Sequence, residues 1–253
     1  TISFYLAALD LKYDANNDIV RADPLYRIYV PIMFKTLRLS ALITAICLVI
    51  AYPVSYLLAT LPLRTSNLLM IMVLLPFWTS LLVRTTAWIA MLQTEGIVND
   101  ILVFTQIIPE GGRIQMVYNM TGTIVAMVHI LLPFMILPLY SVMKTIPPYY
   151  MRAARSLGAT GTYSFIKVYF PQTIPGIAAG TLLVFILAIG YYITPALVGG
   201  NDGLLISNLI ADHIKKTLNW SLGAALGAIL LAIVLVFYWL YNKLVGVDNL
   251  KFG

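Results

Sequence analysis

Apolar residues gather in five long runs separated by polar segments. The runs cover residues 34–61, 68–93, 117–143, 172–195 and 221–245, and each exceeds the roughly 20 residues that a helix needs to cross the hydrocarbon core. The apolar character holds on every helical face instead of alternating in segments of about ten, so the pattern predicts membrane helices and not barrel strands. In lipid a helix satisfies its own backbone hydrogen bonds, which no water is there to do. The expected fold is therefore all-α: one domain over 1–253, a polytopic transmembrane helix bundle with five visible spans. The chain opens at Thr1 with no initiator methionine and no signal peptide, so a sixth span ahead of it is compatible with the sequence.

Composition agrees with the pattern. The chain is 60% hydrophobic and 10% charged, where a soluble domain carries about 25% charged residues. Its single cysteine, Cys47, sits inside an apolar run and excludes an intrachain disulfide. The net charge of +6 says less than its placement. Lys144, Arg152, Arg155 and Lys167 follow one another with no Asp or Glu between them, and a short loop rich in Lys and Arg is held in the cytoplasm. Alternation then puts the 62–67 turn with Arg64, and the tail with Lys243 and Lys251, on the same side. The segment 1–33, the loop 94–116 and the loop 196–220 fall on the outer side. Of the ten acids, all but Asp248 lie on that outer side. Trp220 at the outer start of the last run, and Tyr238, Trp239 and Tyr241 near its inner end, are expected as interfacial anchors.

The loop 144–171 is far longer than a link between two membrane helices requires, and connections of such length tend to be functional. IPPYYMRAARSLGA predicts a short helix that starts at Pro147-Pro148, carries alanines inside and stops at Gly158, which suits a left-handed cap. Thr160 or Thr162 is expected to cap a second short helix through Lys167, ended by Pro171. On composition alone the segment also fits an amphipathic helix lying on anionic lipid through Arg152, Arg155 and Lys167.

The order Ala153-Ala154, then Gly158-Ala159, then Phe165, Val168, Phe170 and Pro171, resembles the EAA loop of binding-protein-dependent ABC importer permeases. TLRLSALITAICLVIAYPVSYLLA (36–59), LLPFWTSLLVRTTAW (74–88), HILLPFMILPLYSVMKTIP (129–147) and GYYITPALVGG (190–200) extend the resemblance over nearly the whole chain, toward the spermidine/putrescine branch of that family. The resemblance implies a coupling helix that docks on a cytoplasmic ATPase through Arg152, Ala153, Ala154, Arg155, Leu157, Gly158 and Ala159. Arg152 stands where the family usually has an acid, so the acid of that contact is expected on the ATPase instead. The implied partners are two copies of the ATPase, a second homologous permease forming a heterodimer, a periplasmic solute-binding protein and the lipid of a bacterial inner membrane, with no nucleic acid. ATP and Mg belong to the partner subunits. This chain holds no cofactor and has no G-x-x-x-x-G-K-[ST] run with which to cradle a nucleotide.

The resemblance also places the FWTSLLVR stretch along the translocation path. Trp78, Thr79, Arg84, Trp88, Tyr191 and Tyr192 are the expected lining residues, and their aromatic faces suit ammonium groups. An ionisable group inside a span is a functional candidate by default. Its closeness to the outer end favours a structural role for Arg84, capping helix carbonyls or snorkelling outward, while the resemblance gives it a cavity-lining one. Pro53, Pro76, Pro133, Pro138 and Pro175 interrupt the runs and mark either kinks or the discontinuities on which transporters gate. Gly176 with Gly180, and Gly223 with Gly227, have the small-xxx-small spacing of close helix packing.

Other functions fit less well. A membrane enzyme wants clustered His, Asp or Glu, whereas His129 and His213 are the only histidines and are expected at different depths, His129 as a hydrogen-bonded core residue with no metal. A channel or structural protein would leave the EAA-like loop without a purpose. The solute, by resemblance, is a polyamine, with an opine, an amino acid derivative or a phosphonate as the alternative.

Overall fold

The computed structural model describes residues 2–14 and 16–245; Asp248 and Lys251 lie outside the described residues. A short helix, α1 (Ile2–Ala8), leads into an antiparallel hairpin of β1 (Leu11–Tyr13) and β2 (Ile19–Arg21), in which Leu11 faces Arg21. The hairpin adds strand to a pattern that predicts only helix. Three residues per strand are too few for alternation to show in the sequence.

Among the described residues, five helical stretches are long and apolar enough to cross a membrane: Tyr29–Thr60, Leu81–Phe104, Met120–Thr145, Gly161–Gly190 and Trp220–Lys243, with a shorter apolar stretch at Leu63–Trp78. The number agrees with the sequence pattern, and the second stretch does not. Helix α2 (Tyr29–Thr60) is followed at once by α3 (Leu63–Leu74), so the expected 62–67 turn shrinks to Leu61-Pro62, and Arg64 stands in the first helical turn. Ser66 donates to the Leu58 carbonyl at 2.7 Å across this corner.

The run 68–93 is not one helix. After α3 comes a 3-10 turn at Leu75–Trp78, then extended Thr79, and α4 (Leu81–Leu92) starts anew with Ser80 as its N-cap. Three groups interrupt the helix here. Pro76 has no N–H to donate, Thr79 Oγ1 donates to the Pro76 carbonyl at 2.8 Å, and Ser80 Oγ accepts from Val83 N at 3.2 Å. Short hydroxyl side chains thus compete with the helical ladder. The other prolines behave differently: α2 runs through Pro53, α6 (Met120–Thr145) through Pro133 and Pro138, and α9 (Phe170–Gly190) through Pro175. Between α4 and α6 lies α5 (Ile97–Phe104).

Between α6 and α9 come α7 (Tyr149–Ser156) and α8 (Gly161–Ser164). The second short helix does not end at Pro171. A π turn at Phe165–Tyr169 joins α8 to α9, and Pro171 sits in the first turn of α9. The wider π ladder, with Phe170 N donating to Phe165 O, gives the helix room to accept a residue that lacks a donor. The run 172–195 likewise ends earlier than expected: α9 stops at Gly190, Tyr191 and Tyr192 are not helical, and α10 (Ile193–Val198), α11 (Ile206–Lys215) and α12 (Trp220–Val245) follow.

The chain forms two compact units. The first comprises Thr1–Ile43, Ser80–Met127 and Leu187–Phe237. One of its cores joins α1, α11 and α12 through Ala8, Ile206, Leu222, Ala225 and Leu226, and another joins Leu92, Val117, Ala126 and Val198. In this unit Asp10, only 6% exposed and at φ +57°, turns the chain out of α1 and accepts from Tyr29 N (3.1 Å) and Val30 N (2.9 Å). It therefore caps α2 from 19 residues away and explains why α2 begins ahead of its apolar run.

The second unit comprises Thr44–Thr79, Val128–Ile186 and Tyr238–Gly253. Helices α6 and α9 meet closely: a Cβ on Gly176 would lie 3.2 Å from the Leu139 Cα, and one on Gly180 would lie 2.8 Å from the Met135 Sδ. Lipid is as apolar as a leucine side chain, so association rests on van der Waals fit, and small residues make that fit possible. The Gly223 position is crowded by Ile214, whereas Gly227 has open space beside it. Tyr238 and Trp239 are exposed, as an interfacial anchor requires, but Tyr241 hydrogen bonds Thr181 Oγ1 at 2.9 Å.

Candidate functional site

Helix α7 and its flanks form a rigid elbow in the second unit. Pro148 precedes the first helical residue, and the Tyr149 and Tyr150 rings pack edge to face at 4.7 Å. At the other end Gly158 takes φ +91°, its N–H bonds the Arg155 carbonyl at 3.0 Å, and Ala159 N bonds the Ala154 carbonyl at 3.1 Å. This is a Schellman closure, and it needs the left-handed residue at Gly158. Thr160 Oγ1 then accepts from Tyr163 N at 3.3 Å and starts α8.

Aromatic packing anchors the elbow. Tyr56 of α2 meets Phe165 at 5.5 Å and Tyr169 at 5.3 Å, both near perpendicular, and Tyr52 meets Phe170 at 5.8 Å. Tyr52 and Tyr56 lie one turn apart on one helix face, so both reach the π turn. The Tyr52 hydroxyl pairs with Thr173 Oγ1 at 3.2 Å, and Lys144 Nζ reaches the Ala59 carbonyl at 3.4 Å. Phe165 has the anchoring position expected of it, while Tyr169, and not Val168, is the buried member of the pair. The remaining α7 face is free: Ala153 is exposed, Ala154 half-buried, and Leu157 is 90% exposed. Outside the membrane-spanning stretches, burial is not what shifts the Tyr149 phenol most; its hydrogen bond with Tyr150 pushes it up.

The expected path residues divide between the units. Trp78, 90% exposed, and Thr79 belong to the second. Arg84, Trp88, Tyr191 and Tyr192 belong to the first. There Trp88 packs against the cluster of Leu92, Val117, Ala126 and Val198. Arg84 lies near the start of α4 within electrostatic reach of Tyr191, and its Nε is buried with no hydrogen-bond partner among the described residues. The break at Tyr191-Tyr192 is held open by α11: Ser207 Oγ donates to the Tyr191 carbonyl, and Asn208 Nδ2 donates to the Tyr192 carbonyl at 3.0 Å. Thr85 and Thr194 pair at 3.4 Å between α4 and α10. Over the Tyr192 ring lies an ammonium of the protein itself, Lys215 Nζ, 4.9 Å from the centroid. Asp212 does not hold it, because that carboxylate pairs with Lys216 at 2.9 Å. His129, predicted as a core residue, is partly buried and has an interaction partner.

The sequence pattern missed Tyr52, Tyr56 and Tyr169, which hide among apolar neighbours as ordinary lipid-facing aromatics. It also missed Lys215, Ser207 and Asn208, which lie in a stretch expected as loop.

The elbow is basic, closed by a glycine and anchored on α2, with Ala153 and Leu157 exposed. The family model for the binding-protein-dependent transport system inner membrane component matches residues 47–245. The chain belongs to this family. It is thus a transport subunit of an ABC importer in the inner membrane, not an enzyme, and it works with a binding protein and an ATPase. The spermidine/putrescine transport system permease protein PotB of Escherichia coli (strain K12) is 35% identical over 226 residues, covering 88% of this chain and 80% of the relative. PotB of Haemophilus influenzae is 35% identical over 224 residues, covering 88% and 78%. A bacterial alginate ABC transporter, solved in complex with an alginate pentasaccharide-bound periplasmic protein, shares the fold of this permease. Its TM-score is 0.72 at 16% identity, covering 100% of this chain and 88% of that one.

Proposed function

We propose that this permease forms half of the translocation path for a polyamine such as spermidine or putrescine, paired with a second, similar permease and driven by two ATPase copies that bind ATP and Mg. The observation that carries the solute class is the 35% identity to PotB across 88% of the chain. In this reading α7 lies at the cytoplasmic face, and ATP-driven closure of the ATPases pushes on the free face of α7. The π turn and the Tyr52–Tyr56 contacts transmit that displacement to α2 and α9, which alternate between inward and outward openings.

No Asp or Glu occurs in residues 24–94 or 111–201, so a polyamine cation meets no carboxylate from those segments, and selection falls to the binding protein. A second reading, an anionic solute such as a phosphonate or an opine, is favoured by one feature: Arg84 and Lys215 already flank Tyr191 and Tyr192 with positive charge. Binding measurements on the cognate periplasmic protein, with spermidine, putrescine, amino acids, opines and phosphonates, separate the two. The polyamine reading expects saturable binding of spermidine or putrescine at micromolar concentration; binding of a phosphonate or opine with no polyamine binding overturns it and leaves the importer assignment in place.

A further inference from the structure

The second unit carries positive charge without a counter-charge. Arg64, Lys144, Arg152, Arg155, Lys167 and Lys243 fall in it, and its described residues include no Asp or Glu. Arg152 and Arg155 stand out because they share one face of α7, three residues apart. Together with Tyr56, Thr60, Met151 and Tyr169 they line a cavity of about 440 Å³. Neither guanidinium has a carboxylate partner among the described residues. Like charges so placed repel unless something negative lies between them.

The cavity wall supplies a second sign of a missing ligand. Tyr169 is 6% exposed, and its hydroxyl is buried with no hydrogen-bond partner among the described residues. A buried hydroxyl left without a partner is a standing cost in free energy, and native interiors seldom tolerate one. The nearby Thr60 hydroxyl does not serve it, since it donates to the Tyr56 and Leu57 carbonyls. What this cavity lacks is therefore an acceptor with several oxygens, able to take forked N–H groups from two arginines and an O–H from a phenol. A tetrahedral phosphate matches that set, because guanidinium forks bind its oxygens in pairs.

We propose that the cavity bounded by α7, the end of α2 and the π turn binds a phosphate group, as the headgroup of an anionic phospholipid or as a free phosphate. Bound there, the anion relieves the repulsion between Arg152 and Arg155, satisfies Tyr169 and ties α7 to α2 at a second point. The elbow is then stiffer with the anion than without it. This site is independent of which solute the permease carries.

The full chain, purified in nonionic detergent, is examined by native mass spectrometry and by titration with short-chain phosphatidylglycerol, phosphatidylcholine, inorganic phosphate and acetate. Phosphatidylglycerol or phosphate is expected to bind one to one, in preference to phosphatidylcholine and acetate. The R152Q/R155Q double variant is expected to weaken that binding about tenfold or more, the loss of one to two charge-assisted hydrogen bonds. Y169F keeps the ring and its packing and is expected to weaken it about threefold, while K167Q in the same unit leaves it unchanged. Binding of the lipid alone assigns the source to the membrane, and binding of inorganic phosphate assigns it to a free anion; either supports the site. Equal binding of phosphatidylcholine or acetate, or wild-type affinity in R152Q/R155Q, overturns it. Both arginines are exposed, so their glutamine variants are expected to fold, and a melting temperature of Y169F no lower than that of the unsubstituted chain verifies the same for the buried position.

Discussion

Replacement of Ala153 and Ala154 by leucine is expected to reduce transport-coupled ATP hydrolysis to near background while leaving the amount of chain in the membrane unchanged. Leucine is a strong helix former, so α7 persists, and Gly158 still closes it at φ +91°. What changes is the profile of the free face. Overfilling a close contact costs about 1–3 kcal/mol per site, so the two substitutions together weaken docking of the ATPase by about thirtyfold or more. Ala153 is exposed and Ala154 half-buried, so A153L alone is expected to produce most of the loss. Copurification of the ATPase with the permease, alongside ATP hydrolysis in reconstituted membranes, measures both effects. Wild-type coupling in a well-expressed double variant contradicts a docking role for this face.

Asp10→Ala is the substitution expected to harm stability most in the N-terminal segment. Both Asp10 oxygens accept backbone N–H groups at the start of α2, and the side chain is nearly sealed from solvent. Hydrogen bonds to a charged group contribute about 1.5–3 kcal/mol, and a carboxylate at a helix N-terminus gains further from the aligned peptide dipoles. A loss of about 3 kcal/mol is expected for D10A, and about half of that for D10N, which keeps an acceptor. Thermal unfolding of the purified chain reads the difference. The contrast lies close by: Lys12 and Asp23 pair at 2.9 Å on an exposed surface. There the hydrogen bond and charge of Lys12 hold the Asp23 carboxyl below its usual range. Solvent screens such a pair, so its removal is expected to leave the melting temperature where it was.

The contrast between these positions also shows what a sequence can carry. Hydropathy counts membrane crossings well because lipid imposes one requirement on every residue of a span. It located α2, α6 and α12 to within a few residues. It failed where polar side chains act on the backbone: Thr79 and Ser80 break the second run, and Ser207 and Asn208 hold the Tyr191-Tyr192 gap, each through bonds to carbonyls or N–H groups that hydropathy does not weigh. Asp10 was legible only as an outer acid, since its role depends on Tyr29 being brought back to it by the hairpin. In the elbow, Gly158 and Thr160 were readable because caps obey local rules. Tyr169 was not, because an aromatic in an apolar stretch looks the same whether it faces lipid or lines a cavity.

The most direct measurement uses the chain's single cysteine to advantage. Cys47 is buried and is replaced by serine, and Leu157, at 90% exposure on the elbow, becomes the only cysteine. If the elbow receives the stroke of the ATPase, L157C reacts with a membrane-impermeant maleimide in inverted vesicles and not in right-side-out ones. In the assembled complex it also cross-links to the ATPase, with a yield that changes when ATP is added. Labelling from the outer face, or full transport with no cross-link to the ATPase, contradicts the account.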